Sequence, residues 1–551
     1  MKPFRECFKG LMRTVRPHRF RILLSGLIGL VGISASLAFV WISKKVVDVA
    51  TGESGGDLMT FVTLMLSIML LQVITRVGAT YWQGHIVVKA QNELRAKTFR
   101  KVMYGTWNGR DKLHSGDTVS RLEEDIRVVT DFVCNSLPEV IITLVQLIAA
   151  SVYLFSLAPD LAWILLLIMP VAVLCSRLFF KKLRALTNEI RAADAQVQGH
   201  IQENTQRRII VRMLGATGRV LERLGGLQET VYDKTMVRLN YNAVSRGFMH
   251  LGFASGYALV FLWGVFGLRD GTLGYGTMVA FLQLVGQVQR PVAALAQQVP
   301  SFIRALSSED RLMDLEQTPQ EEEGADIVLP GAPGIKVDNL SFTYEGSRDV
   351  VVNGLSFDFK PGSMTAIIGS TGAGKSTLVR VIMGLLKPGS GTVSLYTADT
   401  EVPSGERTRC NFMYVPQGNS LMSGTIRENL LMADPYADES RLQEVLHLAA
   451  ADFVYELQDG LDTVCAEIGA GLSEGQAQRI AIARALLRPG GVLVLDEATS
   501  ALDADTELEL LERLGARFRG TKTILCITHR PAATSYADGV LRLEPQHTVS
   551  C

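Results

Sequence analysis

The sequence predicts an all-α membrane domain of six transmembrane helices, followed by an α/β domain that holds a phosphate-binding loop. Three observations support this fold class. Six apolar segments of about the length that crosses a bilayer lie in the N-terminal part of the chain. The glycine-rich segment 369–377 stands between a strand-like and a helix-like run. The apolar run 492–495 is typical of a parallel strand covered on both faces, and it ends in Asp496 and Glu497.

The composition narrows the class of protein. The chain of 551 residues is long enough for two or more domains. Its 55 basic and 55 acidic residues cancel, so net charge favours neither nucleic acid nor acidic substrates as partners. The mean hydropathy is positive, which indicates a membrane protein. The seven cysteines show no C-x-x-C spacing, and we interpret them as reduced thiols that face the cytosol or lie in the membrane.

Residues 1–20 are predicted to form an amphipathic elbow helix. Phe4, Phe8 and Leu11 recur at helical spacing with basic residues between them, a pattern suited to a helix that lies along a membrane surface. A cleaved targeting peptide is the alternative, because basic amphipathic starts also mark transit sequences. We favour the surface helix, since the segment runs directly into the apolar residues 22–43 without a cleavage site of small residues.

Residues 21–317 are predicted to form the six-helix membrane domain. The connections after residues 84 and 180 are rich in Lys and Arg, whereas the other connections are short or slightly acidic. Because positive residues stay in the cytosol, we expect a multi-pass protein of the cell (inner) membrane with both termini cytosolic. The predicted crossings are 22–43, 58–84, 140–158, 161–180, 247–268 and 271–289.

Two connections between crossings, 86–139 and 181–246, are too long to be turns. They are charged, periodic and poor in proline, so we expect each to form two helices that extend from the membrane and meet at a tip. An arm of about 25 residues reaches about 37 Å, at about 1.5 Å per residue. The tips fall near 104–116 and 206–215. Solvated helical hairpins without a mechanical role are the alternative.

Residues 318–334 break the helical pattern with Pro, Gly and acidic residues, and we interpret them as a linker. Short strands and helices alternate in the domain at 335–551, with a helix-rich insertion at 423–461. The predicted strands are 335–344, 351–359, 364–368, 392–396, 412–415, 492–495, 523–528 and 539–543.

The segment 369–377 has the composition and the context of a phosphate-binding loop. Its glycines let backbone N–H groups close around phosphate oxygens, the next helix adds its positive end, and Lys375 adds a full charge. Ser376 and Asp496 are candidate ligands for Mg²⁺, which prefers oxygen ligands. Glu497 is the candidate to orient and polarise an attacking water. The predicted nucleotide-binding residues of the loop are Gly369, Ser370, Thr371, Gly372, Ala373, Gly374, Lys375, Ser376 and Thr377.

A second short segment, Leu472, Ser473, Glu474, Gly475 and Gln476, precedes a helix-like run. Ser473 and Gln476 have the spacing of a capping box, which predicts that the helix starts there. A helix start with a small hydroxyl and a glycine is also an anion-binding site.

This segment resembles the LSGGQ signature of the ATP-binding cassette (ABC) transporters. Four further positions match landmarks of that family in the right order, and they are Tyr344, Gln417, Asp503 and His529. The C-terminal domain therefore resembles an ABC nucleotide-binding domain, a phosphate-loop NTPase cassette. The whole chain resembles a half-transporter of the exporter type, and its six apolar segments exclude a soluble cassette that acts on DNA or ribosomes.

The resemblance implies roles for these positions, with ATP and Mg²⁺ as cofactors. Tyr344 would stack on adenine, Gln417 would sense Mg²⁺ and the attacking water, and His529 would bond the γ-phosphate. The signature would face ATP held by a partner subunit, with Asp503 in the loop at that dimer contact. The tips of the long arms would be coupling helices. Glu474 departs from the commoner glycine, and we interpret it as a mild variation that weakens ATP binding.

The expected function is ATP-driven export of an amphipathic substrate, such as a lipid, drug or peptide, by alternating access. One cassette cannot form a two-site sandwich alone, so we expect a dimer with twelve crossings. A homodimer is the first expectation, and a heterodimer with a different half-transporter is the alternative. An ATP-gated channel or sensor, and an importer, are the other functions compatible with the motifs.

Polar residues inside the crossings are candidates for substrate contact, because ionisable groups in a membrane are costly. Arg76, Glu139 and Arg290 fall toward the cytosolic third, where snorkelling or pairing explains them equally well. We hypothesise that Arg290, followed by the helix-bending Pro291, lies in the substrate cavity. The other candidates are Gln72, Gln146, His250, Tyr257, Gln283, Gln287 and Gln298.

Overall fold

The computed structural model describes the chain except for residues 1–2, 107–114, 160–161, 164–179, 322–323, 348, 466–470 and 545–551. It divides into two compact units, and each is described by itself. The first unit comprises 1–99 and 119–317. The second comprises 100–118 and 318–551.

The described residues between 3 and 317 are almost entirely helical. Short 3-10 or π-helical turns at Arg16–His18, Arg121–Asp125 and Phe132–Ser136 interrupt the α-helices. The α-helices are α1 Phe4–Val15, α2 Arg19–Ala50, α3 Leu58–Met103, α4 Ser115–Ser120, α5 Ile126–Asp131, α6 Leu137–Leu157, α7 Phe180–Gln206, α8 Arg208–Met213, α9 Thr217–Arg269 and α10 Tyr275–Glu316.

Within the described residues of this region, four helical segments are long and apolar enough to cross a membrane. They contain the predicted crossings 22–43, 58–84, 140–158 and 247–268, to within one residue. The predicted crossing 161–180 lies almost wholly outside the described residues. The membrane segments are Phe4–Ala50, Leu58–Met103, Thr118–Leu157 and Thr217–Arg269.

The sixth predicted crossing, 271–289, lies mostly on α10, which packs against α2, α6 and α9. Its apolar side chains Phe281, Leu284 and Val288 are buried within the unit. These apolar side chains pack against neighbouring helices. Helix α10 therefore belongs to the helix bundle even though it carries several Gln residues. One side of helix α1 is buried and the other is exposed. Its place along a membrane surface stays a prediction.

The second unit contains a five-stranded parallel sheet in the order β11-β3-β10-β9-β6. A four-stranded antiparallel sheet, β2-β1-β4-β5, and the pair β7-β8 complete its strands in the described part. The strands are β1 Gly334–Thr343, β2 Val350–Phe359, β3 Met364–Gly369, β4 Ser390–Tyr396, β5 Glu401–Pro403, β6 Phe412–Val415, β7 Gly424–Thr425, β8 Val464–Cys465, β9 Val492–Asp496, β10 Thr523–Ile527 and β11 Gly539–Leu543.

Six α-helices accompany these strands, and they agree with the predicted α/β class. Two of them, with short 3-10 turns, form the helix-rich insertion expected at 423–461. The first two strands, predicted in succession at 335–344 and 351–359, are β1 and β2, and they pair directly with each other. The helices are α11 Lys375–Ile382, α12 Ile426–Leu431, α13 Glu439–Leu448, α14 Glu474–Leu487, α15 Ala504–Phe518 and α16 Pro531–Tyr536.

Strand β9 shows how the core is arranged. All five of its residues are buried. Leu493 and Leu495 belong to one hydrophobic cluster, whereas Val492 and Val494 belong to a second cluster. Successive strand residues point to opposite faces, so the sheet is covered on both sides, as the continuous apolar run predicted.

Candidate functional site

The site lies at the carboxyl ends of three neighbouring parallel strands. Strand β10 pairs with β3 on one side and with β9 on the other. The phosphate-binding loop follows β3, Glu497 follows β9 and His529 lies just beyond β10. Carboxyl ends of parallel strands meet at one edge of a sheet, where open α/β folds bind ligands. The pairing order therefore brings together residues that are up to 160 positions apart, from Gly369 to His529.

The phosphate-binding loop connects β3 to α11 as the sequence predicted. Gly372 and Gly374 have φ angles of 85° and 86°, a region that favours glycine. A Cβ atom at Gly374 would lie 2.8 Å from the carbonyl oxygen of Val351. The Lys375 Nζ donates to the carbonyl oxygens of Gly369 and Ser370, at 2.9 and 3.1 Å. The lysine charge is thus held inside the curve of the loop.

Asp496 is fully buried and is bonded by two hydroxyl groups. Ser376 Oγ donates to its Oδ1 at 2.9 Å, and Tyr414 OH donates to its Oδ2 at 3.3 Å. Burial raises the pKa of Asp496, whereas these hydrogen bonds and Arg380 act to lower it. Burial, together with Asp496, raises the pKa of Tyr414 to about 12, so this phenol stays a donor at neutral pH. The sequence analysis missed Tyr414.

The Glu497 carboxylate lies between the Gln417 amide and the His529 imidazole. Gln417 Nε2 donates to its Oε2 at 2.6 Å, and His529 Nε2 lies 3.1 Å from its Oε1. The Glu497 backbone has a φ of 51°, a region that costs a non-glycine residue about 1–3 kcal/mol. Strain of this kind persists only where surrounding contacts impose it. At Glu497 these contacts include the ones that its side chain makes with Gln417 and His529.

His529 Nε2 has two competing neighbours. It lies 3.0 Å from Lys375 Nζ and 3.1 Å from Glu497 Oε1. In a neutral imidazole, Nε2 either carries a proton that it donates to Glu497 or a lone pair that accepts from Lys375. The histidine can therefore serve only one of them at a time. Lys375 and Glu497 are themselves 3.9 Å apart.

Tyr344 lies beside the helix that follows the loop. Its hydroxyl is 2.9 Å from Thr377 Oγ1, and its ring packs edge-on against Phe342 with centroids 4.9 Å apart. The predicted contact with adenine stays a prediction.

The start of α14 confirms the predicted capping box. Ser473 Oγ accepts from the Gln476 N–H at 3.1 Å, and Gln476 Oε1 accepts from the Ser473 N–H at 2.9 Å. Glu474 is exposed in the first turn, where the helix dipole favours a carboxylate. A Cβ atom at Gly475 would lie 2.9 Å from the carbonyl oxygen of Ala501, so this glycine permits close packing.

Asp503 caps α15, accepting from the Thr506 N–H at 2.9 Å. The hydrogen bonds from Thr506 lower the pKa of Asp503. Asp503 thus stabilises the start of α15. The role of Asp503 at a dimer contact stays a prediction.

A buried network that the sequence analysis missed lies behind these motifs. Arg530, next to His529, donates to Glu507 Oε2 and to the Ser500 carbonyl oxygen, both at 2.9 Å. Thr499 Oγ1 also donates to Glu507, whose side chain is only 2% exposed, at 2.7 Å.

Gln478 of α14 joins the same region from the other side. Its Oε1 accepts from the Ala501 N–H at 3.1 Å, and its Nε2 donates to Ser500 Oγ at 3.2 Å. The loop 499–502 is therefore tied both to the helix that carries the signature and to the histidine loop.

Several polar residues of the predicted crossings bond to neighbouring helices. Gln72 Nε2 donates to the Ala35 carbonyl oxygen at 3.0 Å, and Gln287 Nε2 donates to Ser36 Oγ at 2.9 Å. Gln298 Nε2 lies 3.3 Å from Glu139 Oε2. Arg290 is exposed on α10.

Comparison with known proteins agrees with this geometry. Residues 22–292 match the family model of the ABC transporter transmembrane region, and residues 352–500 match the ABC transporter model. The chain is 27% identical over 550 residues to the ATP-binding/permease protein YgaD of Bacillus subtilis, whose name provisionally assigns it to multidrug export. The match covers 97% of this chain and 94% of YgaD.

Another relative is the leukotoxin translocation ATP-binding protein LktB of Mannheimia haemolytica. It is 29% identical over 506 residues, which are 91% of this chain and 71% of LktB. Among solved structures, a bacterial Atm1-family ABC exporter with ATP bound superposes with a TM-score of 0.81 at 23% identity. That match covers 96% of this chain and 95% of the exporter, and it shows a shared fold.

Proposed function

Because the chain belongs to the ABC transporter family and is an ATPase coupled to transport, we propose that it is half of a dimeric exporter of an amphipathic substrate. The observation that carries the proposal is the Glu497 carboxylate at the end of β9, held by Gln417 and His529 beside Lys375. These are the groups that ATP hydrolysis at a membrane transporter needs in one place.

Glu497 is the group that orients and polarises the attacking water. The Gln417 amide and the His529 imidazole hold its carboxylate at the strand end, so the water is positioned against a fixed acceptor. Lys375 brings its charge to the phosphate oxygens, and the N–H groups at the start of α11 add to it. His529 Nε2 changes partner when Lys375 turns from the loop carbonyls to a phosphate.

The donor set at Ser376 and Asp496 fits Mg²⁺. A hydroxyl and a carboxylate 2.9 Å apart are hard oxygen ligands. Gln417, whose Nε2 donates to the adjacent Glu497, is the third proposed ligand. Among the described residues no cluster of three or more His, Cys, Asp or Glu side chains forms a metal site. This suits an ion that takes most of its ligands from phosphate and water. When bound, Mg²⁺ would neutralise charge on the phosphate oxygens.

We assign dimer formation to the signature end of α14. Ser473 and Glu474 are exposed there, and the helix start can bind an anion supplied by a second chain. The tip helix α8 supports a coupling role, because Ile209, Ile210 and Met213 are all exposed on its surface. Most of the other predicted tip, 104–116, lies outside the described residues.

The substrate class rests on the family and on its relatives. YgaD and LktB carry the words multidrug export and leukotoxin translocation in their names, which supports export of an amphipathic molecule. Arg290 is exposed on α10, one residue beyond the sixth predicted crossing, which is compatible with a substrate contact. If Arg290→Ala leaves both transport and substrate-stimulated ATPase unchanged, the assignment of Arg290 to the cavity is wrong.

Reconstitution in vesicles tests the proposal. The purified chain is reconstituted alone, and ATP-dependent movement of a fluorescent lipid, a cationic dye and a labelled peptide is compared with that of Glu497→Gln. Glu509→Gln, on the outer face of α15, is the matched control. We expect flux with the wild-type chain and with E509Q, and none with E497Q.

Three outcomes would change this proposal: the first and the last contradict it, and the second replaces a homodimer by a heterodimer. Ion conductance without ATP-coupled flux indicates a channel. Flux that appears only after a different half-transporter is added indicates a heterodimer. Flux in the opposite direction indicates an importer.

A further inference from the structure

A cavity of about 470 Å³ lies in the first unit, far along the chain from the nucleotide site. It is lined by α1, by the C-terminal part of α3 and by the C-terminal part of α10. We call it the elbow cavity. Its polar lining includes Arg13, His18, Glu93, Lys97, Glu309 and Glu316.

Glu309 is the first unexplained group in the elbow cavity. Its side chain is only 6% exposed, and Arg13 and Lys97 act on its carboxylate through their charges and not through a hydrogen bond. The carboxylate lies directly against α1, since a Cβ atom at Gly10 would be 2.2 Å from Glu309 Oε1. A glycine at this position is what allows the acid to approach the helix. Burying a carboxylate without donors is costly, so the position calls for a donor.

His18 is the second unexplained group. It is 4% exposed, and its Nε2 lies 3.5 Å from Glu93 Oε2. A neutral imidazole that faces a carboxylate through Nε2 keeps its proton there, which leaves a lone pair on Nδ1. The Nδ1 atom is buried and has no hydrogen-bond partner among the described residues. Both buried groups therefore present acceptors and lack a donor.

Basic side chains complete the elbow cavity on the α1 side. Lys97 already pairs with Glu316 at 2.9 Å. Lys9 and Arg13 are exposed on α1 and line the same cavity. The cavity thus combines buried acceptors with the exposed positive charges of Lys9 and Arg13, and Arg13 lies within electrostatic range of Glu309.

The position of α1 indicates where a ligand comes from. Phe4 is 59% exposed on this basic amphipathic helix, which is the pattern of a helix at a membrane surface. Trp82 Nε1 donates to the Arg21 carbonyl oxygen at 3.2 Å, and Trp is enriched at the level of lipid headgroups.

We propose that the elbow cavity binds a zwitterion that joins a primary ammonium to a phosphate, the chemistry of a phosphoethanolamine headgroup. The ammonium donates to Glu309 and to His18 Nδ1, and the phosphate lies against Arg13 and Lys9. A primary ammonium has three N–H donors, whereas a quaternary ammonium has none. The site is independent of the transported substrate and of the nucleotide site.

Lipid competition tests this assignment on the full chain. The protein is placed in nanodiscs of phosphatidylglycerol, and bound phosphatidylethanolamine or phosphatidylcholine is measured by native mass spectrometry at equal added lipid. We expect at least about a tenfold preference for phosphatidylethanolamine, because hydrogen bonds to charged groups are the stronger ones and only the primary ammonium can donate them. Glu309→Gln should reduce the preference several-fold. Arg13→Gln should reduce the amount bound of both lipids several-fold and leave their ratio unchanged, because both lipids carry the phosphate that Arg13 contacts.

Two controls keep the test decisive. Glu124→Gln and Arg127→Gln alter an exposed ion pair of the same unit and should leave the preference intact. Arg13 is exposed, so Arg13→Gln reports on the elbow cavity through the amount of lipid bound, even if Glu309→Gln folds poorly. Equal binding of the two lipids, or an amount of bound lipid unchanged in Arg13→Gln, would overturn the proposal.

A soluble arm identifies the source of the zwitterion. Glycerophosphoethanolamine and glycerophosphocholine are added to detergent-solubilised protein, and the midpoint of thermal unfolding is measured. A rise with the ethanolamine compound alone shows a site open to soluble zwitterions. No rise, together with the lipid preference above, shows a site that requires the membrane-anchored headgroup.

Discussion

The nucleotide site and the membrane helices treat their polar side chains differently. At the nucleotide site, residues from separate motifs converge, so that Glu497 contacts both Gln417 and His529. Among the described membrane helices, Gln72 and Gln287 instead bond to the backbone or the hydroxyl of an adjacent helix. The first arrangement concentrates charge at one point. The second distributes hydrogen bonds along helix contacts.

The contrast follows from the two kinds of scaffold. A parallel sheet directs its strand ends to a single edge, so residues at those ends meet whatever their separation in the chain. Helices that pack side by side offer no such edge, and polar groups in them mainly satisfy one another. Substitutions should therefore impair catalysis in the first region and cause small losses of stability in the second.

The largest expected effect is at Lys375. Replacing it by Ala removes the charge inside the phosphate-binding loop, and loss of one such preorganised donor costs about 100- to 1000-fold in rate. We expect Lys375→Ala to reduce ATP hydrolysis by about this factor, measured as phosphate release from the purified chain. Lys387→Ala, at a lysine of the same unit whose side chain is 75% exposed, is the control. Undiminished hydrolysis in K375A would show that the loop is not the site of the reaction.

Much of this region was predictable from sequence because its signals are local. A glycine-rich loop between a strand and a helix, and a capping box at Ser473, depend on residues only a few positions apart. Tyr414 and the Arg530–Glu507 pair were missed for the opposite reason. Tyr414 reaches Asp496 only because β6 lies beside β9, and strand order is not written in any short segment.

The next effect concerns the buried pair of Arg530 and Glu507. Arg530→Ala leaves the Glu507 carboxylate buried with only the Thr499 bond, and breaking such a pair costs about 3–5 kcal/mol. Because Arg530 is partly exposed, we expect a loss of about 3 kcal/mol in the opening free energy of β10 and α15. Amide hydrogen exchange of the full chain measures it.

Two further variants check this interpretation. Arg542→Ala removes an exposed arginine from β11 and should leave exchange unchanged. Glu507→Gln combined with Arg530→Ala should recover part of the loss, because no charge then remains buried. If the double variant is as unstable as Arg530→Ala alone, the pair is not what holds this region.

A smaller effect is expected at Ser473, for which the chain supplies its own matched control. Ser473→Ala removes an N-cap, which costs about 1 kcal/mol. Thr425→Ala removes the equivalent cap from the capping box of α12 and should cost a similar amount. Only S473A should also lower ATP hydrolysis, because its helix start is the one proposed to bind nucleotide across the dimer. Equal hydrolysis in the two variants would remove the support for that contact.

The membrane region was less predictable, and the cause is geometric. Helical periodicity tells which side of a helix is polar, but it does not tell which helix faces that side. Gln287 and Ser36 are 251 residues apart, and no local pattern links them. Their bond could be found only from the packing of α10 against α2.

The smallest expected effect is at Gln287 itself. Gln287→Leu loses the bonds to Ser36, but it also removes a buried side-chain oxygen that has no partner among the described residues. Hydrogen bonds between membrane helices contribute about 0.6 kcal/mol on average, so we expect a loss near that value in unfolding by denaturing detergent. Gln283→Leu, one turn earlier on α10, makes the same substitution and is the control. The Gln283 side-chain oxygen is also buried without a partner among the described residues, so this change should be neutral or slightly stabilising. A fall in transport much larger than the fall in stability for Gln287→Leu would mean that this glutamine contacts substrate, and the contrast between the two regions would then fail at that point.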